Sequence, residues 1–143
     1  IRDRVQLPPS LSYEPSSASA FFMAVRRCFA GNVVLEPRHA SWLAAEAMLQ
    51  DLHIGRVAVD PPVIDATPTC AGWQGVRYWR LHGSPRIYHS GYGPERLREF
   101  ARHLDRSVAD GIPTWCIFDN TASGHAVADA LYLLDLNPQH LQP

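Results

Sequence analysis

This sequence lacks most of the features that announce a chemistry outright. Cysteine is scarce: Cys28, Cys70 and Cys116 are odd in number and widely spaced, with no Cys-x-x-Cys pair. That argues against a disulfide framework and a structural zinc ribbon, and favours a reducing, cytoplasmic setting. Neither sign of charge is in excess. A net charge of -1 and a pI near 6.7 supply no basic field for nucleic acid and no acidic tail. No run approaches the roughly 18 apolar residues of a membrane span. Three charges fall within Ile1 to Val5 and Pro8-Pro9 follows, which does not read as a signal peptide. There is no Gly-x-Gly-x-x-Gly, no P-loop and no Gly-x-Ser-x-Gly elbow.

What the chain does contain is a repeated pattern. At 143 residues, 46% hydrophobic and 19% charged, it is long enough for one globular domain with a real core. Five short apolar segments end in polar residues: Val5–Pro9, Val33–His39, Val57–Pro61, Trp79–Gly83 and Trp115–Asn120. Helical periodicity follows or separates most of them. Ser16 or Ser17 is a cap for a helix bearing Phe21, Val25, Cys28 and Phe29, closed by Gly31. Ser41 is a cap for a stripe of Leu43, Ala47, Met48 and Leu52, followed by Gly55. Pro94 opens a helix whose apolar face is Leu97, Phe100, Ala101, Leu104 and Val108, ended by Gly111. Thr121 or Ser123 caps a last helix with Val127, Ala130, Leu131 and Leu134 as its stripe. These spacings predict strands near 5–8, 33–36, 56–59, 76–82 and 114–118, and helices near 17–30, 41–53, 95–110 and 122–135. Residues 61–74, rich in proline and glycine, read as a long loop.

Strand, polar tip, helix, repeated, belongs to a β/α barrel or to an open parallel sheet. Five units cannot close a barrel of eight strands and roughly 250 residues. The expectation is an open α/β sheet or the C-terminal part of a barrel. The start at Ile1, almost inside a strand, reads as a missing N-terminal portion.

Both folds place ligands at the C-terminal strand ends. Side chains alternate along a strand, so Arg80 and His82 share a face opposite Trp79 and Leu81. The same alternation pairs Glu36 with Arg38 opposite Leu35, sets Asp60 opposite Val59 and Gln6 opposite Leu7, and leaves Asp119-Asn120 ambiguous. Such polar groups can converge on one mouth. Glu36 and Asp60 suit general acid–base work or a divalent metal, and His82 suits a proton shuttle or metal ligand. Arg38 and Arg80 suit a bidentate grip on carboxylate or phosphate. The bland alternative is an ion-pair network, Glu36 with Arg38 and Asp60 with Arg80, that only closes the fold. Trp42 is either a stacking indole at the mouth or a packing residue at a helix start. Tyr88 and Tyr92, in the loop Gly83 to Gly93, form either a lid or an ordinary surface loop. Cys116 reads as core; His53, His89, His103, His125 and His140 read as surface residues. Arg96, Arg98, Arg102 and Arg106 alternate with Glu95, Glu99 and Asp105, the pattern of a solvated helix face.

Four motifs together carry a resemblance. Gln6-Leu7-Pro8-Pro9-Ser10, Glu36-x-Arg38-His39-x-Ser41-Trp42, Tyr78-x-Arg80-x-His82-Gly83 and Phe118-x-Asn120-Thr121-x-x-Gly124-x-Ala126 resemble, in order and spacing, the YecE-like family, also called domain of unknown function 72. Asp129 stands where many members carry asparagine. The resemblance implies a TIM-type β/α barrel, here an incomplete sector of about five parallel strands from the fourth strand onward, forming one partial domain over residues 1–143. It implies no established reaction.

Two functions remain open at this stage. One is an enzyme, hydrolase-like, acting on a small or polymeric anionic substrate. Glu36, Asp60 and His82 would be catalytic or metal ligands, and Arg38, Arg80, Trp42, Tyr92 and Asn120 would bind substrate. The other is a non-catalytic domain that binds a phosphate-bearing or nucleic-acid ligand at the same place. A further expectation is that the chain needs the missing N-terminal half of the barrel as a partner, and that without it activity is lost and solubility is poor.

Overall fold

The computed structural model describes residues 2–137. In chain order the elements are β1 (Arg2–Gln6), α1 (Pro15–Cys28), β2 (Asn32–Glu36), a 3-10 helix (Ala40–Ala45), α2 (Glu46–Asp51), β3 (Ile54–Arg56), β4 (Ala58–Asp60), β5 (Ala71–Gly72), β6 (Arg77–Leu81), α3 (Pro94–Ala109), β7 (Thr114–Phe118) and α4 (His125–Leu136). Among the described residues the fold is mixed α/β with parallel sheets and four α-helices, and the strands do not close into a barrel. One sheet runs β1-β2-β3-β5 and the other β4-β6-β7. Every pairing is parallel except the two-residue contact of β5 with β3.

The strand expected at 56–59 is two pieces of one extended run. Its first part pairs with β2 and its second with β6. Between them the Val57 N–H donates to the Leu35 carbonyl at 2.9 Å, which carries the pairing across the break. The expected loop at 61–74 contains β5. The expected helix at 41–53 is a 3-10 turn followed by the short α2. Caps differ as well. Glu14, just ahead of the serines, accepts from Ser16 N and Ser17 N and so starts α1 earlier than serine capping implied. The Ser17 side chain, followed by the Ser17 and Ser16 N–H groups, holds the exposed Glu14 carboxyl down to about 2. α4 begins at a left-handed Gly124 with no side-chain cap.

Both sheet faces are apolar through the strand bodies, as expected of parallel strands covered on two sides. On the helix side, Phe22, Leu35, Leu49 and Ile54 form one core, and Trp79 and Leu81 pack with Leu97, Phe100, Ala101 and Leu133 in another. The opposite face carries Val34, Val57, Val59, Val76 and Tyr78, with Trp115 and Ile117 against them. In α4 the stripe expected inward points outward. Val127 is 69% and Leu131 58% exposed, whereas Ala126, Asp129 and Leu133 are buried. Asp129 sets that rotation: its carboxylate accepts from the Tyr92 N–H at 3.0 Å and from Asn120 Nδ2 at 2.6 Å. Replacing Asp129 by alanine should therefore destabilise the protein by about 2 kcal/mol, since it strands two buried donors. Urea unfolding of the variant checks this.

Candidate functional site at the strand ends

The site follows from which face each strand presents. Tyr78 lies on the face opposite the helices, so two-residue alternation puts Arg80 and His82 there too. Val34 brings Glu36 to that face, and Trp115 and Ile117 bring Asp119. The side chains meet. Arg80 Nη1 donates to both carboxylate oxygens of Glu36, at 2.9 and 2.7 Å, and to Gln6 Oε1 at 3.1 Å. Arg80 Nε donates to Asp119 Oδ2 at 2.7 Å. Arg4 Nη1 reaches Glu36 Oε2 at 2.8 Å, and Arg38 Nη2 reaches Glu36 Oε1 at 3.1 Å. Glu36, fully buried, thus anchors three guanidiniums. Burial works against its charge, but Arg80, Arg4 and Arg38 outweigh that and hold the carboxyl below its ordinary value.

The three arginines have different roles. Arg80 is committed, bridging Glu36 to Asp119. Arg38 is held only through Nη2: among the described residues its buried Nε finds no hydrogen-bond partner. Three guanidiniums face two carboxylates here, leaving a positive excess.

His82 completes the mouth. It is 3% exposed, and among the described residues neither ring nitrogen has a hydrogen-bond partner. Nδ1 stands 3.7 Å from Asp119 Oδ2, beyond hydrogen-bond range. Tyr88 lies edge-on against the imidazole, with ring centroids 5.2 Å apart. Burial, with Arg80 second, pushes the His82 pKa below the ordinary 6.5, so the ring is neutral at pH 7. Gly83 allows the chain to leave the strand here. Its φ is +89°, and a Cβ would strike the Ser90 carbonyl and the Asn120 side chain.

Four further residues named from the sequence lie elsewhere. Asp60 does sit opposite Val59, but Val59 belongs to the inner face, and the small Ala58 packs on the helix side. Asp60 therefore points to α3 and pairs with Arg96, not Arg80. Asn120 follows Cys116 and Phe118 to the helix side, where Nδ2 donates to Asp129 and to the Ser90 carbonyl. Trp42 is core, with Nε1 donating to the Leu11 carbonyl. Tyr92 is buried; its hydroxyl donates to the Asp60 carbonyl and accepts from Gly83 N, which makes it a brace behind the mouth and no lid. For Asp60 and Asn120 the reason is shared: both faces are apolar, so an apolar neighbour does not mark the helix side. His103 is half-buried against Trp79, not a surface residue, and His140 lies outside the described residues. Arg4 was missed, although period-two spacing from Gln6 was available to find it; Asp119, which strand alternation left ambiguous with Asn120, takes the Arg80 face.

A divalent metal does not suit this donor set. Both Glu36 oxygens carry guanidiniums, Asp60 faces away, and no group of three or more His, Cys, Asp or Glu that could hold a metal occurs among the described residues.

Parallel β/α units with a polar, arginine-rich mouth at the C-terminal strand ends define an α/β protein of the kind in which ligands meet those ends. The chain belongs to the family of proteins of unknown function DUF72, whose model matches residues 4–142. Among curated proteins no match was found. The fold is similar to the crystal structure of a DUF72 family protein from Thermotoga maritima, with TM-score 0.73 and 20% identity, over 99% of this chain and 58% of that one. It is also similar to a DUF72 family protein from Enterococcus faecalis V583 in two crystal structures. One gives TM-score 0.76 at 16% identity, covering 98% of this chain and 58% of that one; the other gives 0.74 at 18%, covering 97% and 61%. The chain thus spans about three-fifths of those proteins. Among the described residues, no helix is long and apolar enough to cross a membrane.

Proposed function

We propose that the strand ends form a binding site for an anionic group, phosphate or carboxylate, on a small or polymeric substrate, and that His82 transfers a proton there. The observation that carries this is the orphaned Nε of Arg38, beside a cluster with one guanidinium in excess. A buried donor without an acceptor costs roughly 1–3 kcal/mol, which a ligand oxygen would recover. Hydrolytic acid–base chemistry then falls to neutral His82 with Asp119 nearby, because Glu36 and Asp60 are both engaged by arginines. That engagement also favours a second reading, binding without turnover.

The same reading makes the chain a barrel sector. The coverage of nearly all of this chain but three-fifths of its structural relatives supports it, as does the exposed Val127–Leu131 stripe on α4. β1 and β7 each have one partner strand among the described residues, and further strands would complete both edges.

Calorimetric titration with inorganic phosphate tests the anion site. The intact protein should bind, more weakly at high salt. Arg38→Gln should lose about tenfold or more in affinity, since a charge-assisted bond is worth roughly 1.5–3 kcal/mol. Its melting temperature should barely change, because Arg4 and Arg80 still hold Glu36. Equal affinity in both proteins would refute the site.

A further inference from the structure

The helix side of the sheet is hollowed beside β6. Between β4 and β6, where a β/α unit ordinarily places a helix, the chain runs through Pro61–Val76 with only the two-residue β5. The helix-side surface of β6 next to α3 is therefore roofed by loop. Two adjoining hollows of about 230 and 420 Å³ result, sharing Pro68, Thr69, Trp79 and His103. Their combined extent suits a small ligand.

The lining has a definite chemistry. Trp79 and His103 lie with ring centroids 4.7 Å apart and planes tilted by 35°, and Phe100 meets Trp79 at 6.0 Å. Arg96 flanks one hollow and Arg106 the other. The hydrogen bond of Arg106 among the described residues is a long one, from Nε to the Arg102 carbonyl at 3.3 Å, so its outer nitrogens remain available. Trp79 is 95% buried, yet its indole N–H has no acceptor among the described residues. A buried donor, a ring-lined wall and a flanking cation ask for one kind of guest: a flat ring with an acceptor and a negative charge.

We propose that this groove is a ligand site separate from the strand-end mouth, and that it takes a small aromatic or heteroaromatic ring bearing a carboxylate or phosphate. The test follows the four tryptophan indole N–H signals in ¹H–¹⁵N spectra of the intact protein. Benzoate, phenyl phosphate, cyclohexanecarboxylate and benzylamine are added in turn at millimolar concentration. The Trp79 signal should move with benzoate or phenyl phosphate, and the tighter of the two identifies the preferred anion. It should move less with cyclohexanecarboxylate, which lacks the ring, and not with benzylamine, which has the wrong charge. Arg106→Gln combined with His103→Ala should weaken the response about tenfold or more, while Arg38→Gln should leave it unchanged. The site is excluded if no anion moves the Trp79 signal, if benzylamine acts like benzoate, if the double variant responds like the parent, or if Arg38→Gln abolishes the response, which would place the ligand at the mouth.

Discussion

Glu36→Gln should cost about 3 kcal/mol of stability and lower the melting temperature by roughly 10 °C. Glu36 is fully buried and is the shared acceptor for Arg4, Arg38 and Arg80. An amide keeps the shape but presents one oxygen and no charge to three guanidiniums. Removing one member of a buried ion pair typically costs about 3–5 kcal/mol. The low end applies because the arginines keep some access to water. Anion affinity should fall as well, since the guanidiniums lose the anchor that positions them. The sign with pH follows from the shift. The folded-state pKa of Glu36 lies below the ordinary 4.5, so its stabilisation is present above pH 4.5 and is lost as pH falls through the lowered value. The variant should accordingly show a shallower acid limb. Denaturant melts of both proteins across the acid range check this, and an unchanged melting temperature in Glu36→Gln would contradict the anchoring role.

His82→Ala should behave in the opposite way. The side chain makes no hydrogen bond, so its removal should cost less than about 2 kcal/mol, mostly packing against Tyr88. If the mouth hydrolyses phosphate esters, measured with p-nitrophenyl phosphate, turnover should drop by about 10²–10⁴-fold, the usual worth of a general acid or base. The pKa of His82 is lowered by burial and by Arg80. Its contribution to stability is therefore complete above pH 6.5 and is lost as pH falls toward the folded-state value. His103 is shifted in the same direction, chiefly by burial, so the variant should lose only part of this pH dependence. Binding of phosphate with no turnover in the parent would select the non-catalytic reading.

The legible part of the fold was the part governed by short-range rules. Pro94 at a helix start, Gly111 with φ +67° at a helix end and the β-branched run of β2 each mark an element locally. The face of each strand was harder. It came out correctly for Glu36, Arg80 and His82, where a bulky apolar partner does face the helices. It failed for Asp60 because Val59 is apolar for the sake of the inner face, and strand alternation gives no sign of which face is which. The outward rotation of α4 depends on Asp129 meeting Asn120 and Tyr92, a contact between residues up to 37 positions apart that no local pattern reveals. Trp42 and Tyr92 were misplaced for a related reason. A buried aromatic with one polar atom looks the same in sequence whether that atom meets a ligand or, as here, the carbonyl of Leu11 or Asp60. The bland ion-pair reading was partly right, since Glu36 does neutralise arginines, but the excess guanidinium and the orphaned Arg38 Nε go beyond neutralisation.

The most direct test of the anion site follows the arginine Nε–H signals while inorganic phosphate is added, with Arg4, Arg38 and Arg80 assigned from single glutamine variants. The prediction is that the Arg38 Nε–H signal moves with saturation, Arg80 moves less because Glu36 and Asp119 already hold it, and Arg77 and Arg106 on the far side of the sheet stay fixed. If phosphate leaves Arg38 unmoved, or shifts Arg106 in its place, the strand-end mouth is not an anion site.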